Sequence, residues 1–195
     1  MKVQPIFLHR EFESIVKNVS DKLISYLKDY DDAITAVHYH YGHPLEIINT
    51  ITQYDQGNES KYDKYPLVAF FLDSSINRGR EVGLYGEQEV NICIIRDCND
   101  AQGNDVASVR DEKNFIPVLN PIYLELLEQI ALRGDLFNLQ GGAENIEHKV
   151  TNRYYWGRSG LFGNDGNIFN DRVDAIEINN MKLRINLNYC PKPAV

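Results

Sequence analysis

Apolar residues recur at helical spacing near the N-terminus. Phe12, Ile15, Val16, Val19, Leu23, Ile24 and Leu27 are separated by three, four and one, which stacks them on one face. Glu13, Lys17, Asp21, Lys22 and Lys28 fill the other face, so the pattern predicts an amphipathic helix over 11–29, closed by a polar turn over 29–32. A β-branched and aromatic run, 33–41, predicts a strand ended by Gly42-His43-Pro44. Residues 45–54 fit either a strand or a helix started by Pro44, and the spacing of Leu45, Ile48 and Ile51 favours a short helix. A polar loop over 55–65 precedes the continuous apolar run Leu67–Leu72, which predicts a strand covered on both faces. Alternation of Val90, Ile92 and Ile94 with Glu89, Asn91 and Cys93 predicts a second strand over 87–96, covered mainly on one side.

The polar stretch 97–113 exceeds the usual connection length and predicts a long loop. A second helix is expected from Asn120 as N-cap and Pro121 at its first position, burying Tyr123, Leu126, Leu127 and Ile130 and stopping at Gly134. Ile146, His148 and Val150 alternate with polar residues, as in a strand. Ile176 and Ile178 lie on one parity and Met181, Leu183, Ile185 and Leu187 on the other, which requires a hairpin or a bulge at Asn179-Asn180. The sum is an α+β fold, one domain over 1–195, with two main helices on one face of a mostly antiparallel sheet and long loops.

Composition bounds the function. The 195 residues carry 28 acidic and 20 basic side chains, a formal charge of −8, which argues against a protein that coats nucleic acid by neutralising phosphates. The longest apolar run falls far short of the ~20 residues of a membrane span. The first ten residues hold no signal-peptide core. Cys93, Cys98 and Cys190 make an odd count without paired spacing, which points to a reducing compartment rather than a disulfide scaffold.

Candidate chemistry is sparse. His38 and His40 share one face of the expected strand, ~7 Å apart, and His43 follows the turn. Three imidazoles are a zinc-type set, yet no acid is placed by spacing as a fourth ligand or base, and Tyr39 and Tyr41 alternate with them. Asp97, Asp100, Asp105 and Asp111 miss the calcium-loop spacing, because Gln102 or Asp105 falls on the glycine position. Gly157–Gly166 has no phosphate-loop lysine. Leu161 interrupts the G-x-S-x-G pattern around Ser159. Tyr154, Tyr155, Trp156 and Phe162 beside Arg153 and Arg158 suit a protein contact, base stacking, or simple capping of the core. No catalytic, cofactor-binding or metal-binding residue is assigned, which shifts weight from enzyme to assembly protein. The alternatives are a metal-dependent enzyme on His38, His40 and His43, and a host-side binding module on Tyr154, Tyr155 and Trp156.

An order of segments also carries a resemblance. It comprises the helix Glu11–Asp29, Tyr41-Gly42-His43, the strand Lys64-Tyr65-Pro66-Leu67-Val68, the strand Val90–Ile95, the stretch Phe115–Tyr123 and the stretch Asp174–Ile178. Over roughly residues 5–190 the chain resembles the neck and tail-completion proteins of tailed bacteriophages, the tail-terminator-like group. The resemblance implies a virion protein of the neck or tail, made in the host cytoplasm. It would form a hexameric or dodecameric ring touching portal, neck or tail-tube proteins, with DNA passing through the lumen. It implies no cofactor and no membrane.

Overall fold

The computed structural model describes residues 7–47, 50, 64–77, 85–98, 107–139, 141–156, 173–187 and 189; for 73–77, 107 and 155 it describes backbone alone. The first helix, α1, runs Leu8–Tyr30, a turn longer at its start than the apolar stripe requires, because Leu8 is also buried. Its inner face presents Phe12, Ile15, Val16, Val19 and Leu27 to the core. It ends where the Asp31 N–H closes on the Leu27 carbonyl at 2.8 Å.

Among the described residues five strands form one sheet: β1 His38–Gly42, β2 Leu67–Asn77, β3 Tyr85–Asp97, β4 Lys149–Trp156 and β5 Val173–Asn186, in the order β1-β2-β3-β5-β4. Only β1 and β2 are parallel; the other three pairings are antiparallel. β1 is shorter than expected, since 33–37 stay outside the strand. After it, residues 44–47 make one helical turn, while most of the expected helix and the polar loop up to 63 lie outside the described residues.

The parity switch in β5 is a bulge, not a hairpin. Val90 faces Met181 and Ile92 faces Ile178, so Asn179 and Asn180 together oppose Asn91. Asn180 adopts φ of 54°, a left-handed conformation that asparagine tolerates better than most residues. Its N–H is held by Asn91 Oδ1 at 2.9 Å. The extra residue returns Met181, Leu183 and Ile185 to the face already lined by Ile176 and Ile178.

The second helical unit begins earlier than expected. Ala107–Arg110 (α2) leads into a π-helical stretch, Asp111–Leu119, and then into α3, Asn120–Ala131. Asn120 is therefore inside a continuous helical path and caps nothing. Pro117 accounts for the widening. It has no N–H to give Lys113, four residues earlier. The Lys113 carbonyl instead accepts from Tyr30 Oη and Arg96 Nη1, each at 3.1 Å. The Asn120 N–H reaches back five residues to Phe115.

α1 and the π–α3 path run antiparallel on one face of the sheet. Glu11 meets Arg133, Lys22 meets Glu125, and Tyr30 meets Lys113. Between helices and sheet lies the main core, with Val68, Phe70, Val90, Ile92, Ile94, Ile176 and Leu183 below and Phe115, Leu119, Ile122 and Leu126 above. The other face of the sheet differs from expectation. A second apolar cluster, Ile47, Tyr65, Leu67, Ala69, Cys93, Ile95, Trp156, Val173 and Ala175, covers part of it. Cys93 and Ile95 are thus buried where a one-sided strand would expose them. The rest of that face is polar, and the register sets Glu87 opposite Arg184 and Glu89 opposite Lys182, favourable cross-strand charge pairs.

Candidate functional site

Among the described residues, three places offer chemistry or a docking surface, beside the apolar side chains Ile116, Leu124 and Leu132 that the π–α3 path and the turn after it also expose. The first is a buried polar knot. Arg110 and Asp174, 1% and 0% exposed, form an ion pair through Arg110 Nη2 and through Nε at 3.0 Å. Asn114 Nδ2 adds a hydrogen bond to Asp174 Oδ2 at 2.7 Å, and Arg110 Nη2 also donates to Cys98 Sγ at 2.7 Å. Burial first, then the neighbouring Asp174 carboxylate, pushes the Cys98 thiol far above its ordinary range, so it stays protonated. A protonated, buried thiol is a poor nucleophile and a poor metal ligand. Tyr154 closes the knot: its hydroxyl donates to Asp111, and its ring lies under Arg110 and 5.0 Å from Phe115.

The second place is the β1 edge of the sheet. Tyr39 donates its hydroxyl to the His9 carbonyl at 2.6 Å, His9 stacks on Tyr41 with centroids 4.4 Å apart, and Phe7 meets His9 edge-on. Phe7, Tyr41 and Leu45 nevertheless remain exposed. β1 carries no charged residue, proline or bulge over its five paired positions, the devices that ordinarily blunt an edge strand. The third place is the opposite edge, β4, where Lys149, Val150, Asn152, Arg153 and Tyr154 are exposed.

The histidines expected as a zinc set do not converge. His38 and His40 lie along β1, whereas His43 has left the strand and its Nδ1 accepts the Leu45 N–H at 3.2 Å. Among the described residues no group of three or more His, Cys, Asp and Glu side chains is arranged to hold a metal. Asp97 and Asp111 are described, but Asp100 and Asp105 lie outside the described residues, as do Ser159 and the glycines from Gly157 to Gly166.

The aromatic docking cluster is corrected. Trp156 is 4% exposed inside the second apolar cluster, with Nε1 donating to Glu177 Oε1 at 2.9 Å. It therefore supports the sheet. Tyr154 belongs to the knot, and the Tyr155 side chain lies outside the described residues. Sequence reading missed Arg110, Asn114 and Asp174 altogether. Their one signal was an aspartate inside an apolar context, Val173-Asp174-Ala175; Arg110 is followed by Asp111-Glu112-Lys113 and gives none.

Among the described residues no helix is long and apolar enough to cross a membrane. No protein-family model matches the chain, and no curated protein is similar to it.

Proposed function

We propose that this chain is the subunit of a homo-oligomeric ring in the neck or tail of a tailed bacteriophage, joining or terminating the tail and letting DNA pass through its lumen. One observation carries the reading. The chain exposes apolar and aromatic side chains at both ends of one sheet, Phe7, Tyr41 and Leu45 at β1 and Val150 at β4. Two different sticky surfaces on one chain suit head-to-tail contacts, which close into a ring where the rotation per subunit closes. Aromatic enrichment of this kind belongs to interface cores.

The segment resemblance supplies the virion setting. Adjacent portal, neck or tail-tube proteins would meet the ring's two flat ends. The net charge of −8 is compatible with a lumen that repels phosphates. Native mass spectrometry of the purified chain over a concentration series tests the reading. A single species of six or twelve subunits is expected; a monomer at every concentration would refute it.

A further inference from the structure

Resting on that ring reading, we infer that the subunits join through their sheets: β1 of one copy pairs antiparallel with β4 of the next. The argument begins with register. Across the sheet, Tyr39, Val68, Ile94, Ile176 and Asn152 form one row, and Tyr41, Phe70, Ile92, Ile178 and Val150 form another. The rows between and beyond run His40 to Thr151 and His38 to Arg153. The two edges therefore stand at the same height, residue for residue.

Strand direction agrees. β1 and β2 run one way, β3 the other, β5 back again and β4 opposite to β5. Rotation about an axis along the strands thus sets a β4 running down beside a β1 running up, the more stable antiparallel arrangement.

Hydrogen-bond phase agrees as well. The His38 N–H donates to the Pro66 carbonyl at 2.8 Å. In a parallel ladder alternate residues turn both groups toward the partner, so His38, His40 and Gly42 face β2, and Tyr39 and Tyr41 turn theirs outward. Carried through the same alternation, the ladder turns Glu177 and Ala175 toward β4. Thr151 and Arg153 then bond inward, while Asn152 and Val150 turn outward. The outward residues on the two edges are on the same rows. Tyr39 with Asn152 and Tyr41 with Val150 would each exchange two bonds, four in all, with no slip.

Side chains complete the match. Tyr41 and Val150 are 42% and 40% exposed and lie on the helix-bearing face of the sheet. Apposed, they make an aromatic–β-branched pair that covers both. On the other face Glu46 Oε2 overhangs Gly42, only 2.9 Å from where a Cβ would stand. Lys149 holds the corresponding height on β4, paired with Asn179 in the bulged row. Its ammonium would meet that carboxylate. A β4–β4 contact that paired Val150 with Asn152 would instead oppose Lys149 to the Arg153 of the other copy, two like charges. Five strands at ~4.8 Å give ~24 Å of circumference per subunit, so six subunits close at a mid-sheet diameter of ~46 Å, wide enough for a duplex.

The experiment is native mass spectrometry of the full chain beside Asn152→Pro, Lys149→Glu, Glu46→Lys and the Lys149→Glu/Glu46→Lys exchange, with circular dichroism and melting as fold controls. Proline at 152 removes an outward N–H and leaves the β4–β5 bonds in place. Expected is a wild-type ring, a folded monomer for Asn152→Pro, about tenfold weaker assembly for each single reversal, and recovery in the exchange. A purely structural role for Glu46 would give no recovery. A wild-type ring with unaffected variants would overturn the edge pairing and leave the ring standing. A wild type that stops at a dimer would point to β1–β1 pairing and overturn both proposals. A wild type monomeric throughout would overturn the ring and the pairing with it.

Discussion

Replacing Asp174 by alanine is the sharpest test of what holds the helical unit to the sheet. The carboxylate is fully buried and accepts from Arg110 Nε, Arg110 Nη2 and Asn114 Nδ2. Its removal leaves a guanidinium that is 1% exposed without its counter-charge. Cys98 and Asn114 are neutral and cannot replace it. Breaking one half of a buried pair costs about 3–5 kcal/mol, which in a chain of this size lowers the melting temperature by roughly 6–20 °C. Arg110→Met should cost a similar amount, because it takes the guanidinium away from a fully buried carboxylate. The double change Arg110→Met with Asp174→Leu should recover most of the loss, since two apolar side chains of similar volume carry no desolvation penalty. Urea unfolding of these variants and of the single Asp174→Leu, at fixed protein concentration, followed by fluorescence of the sole tryptophan, Trp156, and by far-UV circular dichroism, gives the four values and the coupling of Arg110 to Asp174. A loss below about 1 kcal/mol for Asp174→Ala, or additive single changes, would refute the reasoning.

Other outcomes follow from particular contacts. Burial first, with Glu13 and Tyr41 adding to it, raises the Tyr39 phenol pKa, and burial with Asp174 raises that of the Cys98 thiol. A raised folded pKa stabilises fully below the unfolded value and is lost above it. The urea midpoint should therefore stay level through neutral pH and fall above about pH 9. Tyr39→Phe should shallow that fall while costing about 1 kcal/mol at pH 7 for the bond to the His9 carbonyl; a midpoint unchanged to pH 11 would contradict this. Asn180→Gly should be close to neutral and Asn180→Ala should cost about 1 kcal/mol, because only the latter strains a left-handed residue, as chemical denaturation would show. Arg133 bonds Glu11, Asp135 and Tyr189, so Arg133→Ala should lose about 1–3 kcal/mol and expose α1 to faster hydrogen exchange.

Periodicity carried much of the fold. The α1 stripe, the buried run of β2 and the β5 parity switch are local signals of solvent and pleat, and each describes its element well. What escaped is what tertiary context decides. The π-helical widening follows from Pro117 together with Tyr30 and Arg96, which satisfy the Lys113 carbonyl from 83 and 17 residues away. No window of sequence holds all three. The onset of helix at Ala107 was hidden because Asp111, Glu112 and Lys113 have the composition of a polar loop, although Glu and Lys are also good helix formers once Ala107–Arg110 has begun the turn. Cys93 and Ile95 were read as half-covered because the residues that bury them, Ile47, Trp156 and Val173, come from three distant stretches. The buried knot was invisible for the same reason: Arg110 and Asp174 are 64 residues apart. The two edges were legible only as strands, since their equal height depends on four successive registers.

Electron microscopy of the purified chain tests the central claim most directly. The account predicts annular particles with sixfold or twelvefold symmetry and a continuous sheet around a central channel. Particles without a channel, or a field of single 22.4 kDa subunits at every concentration, would contradict it.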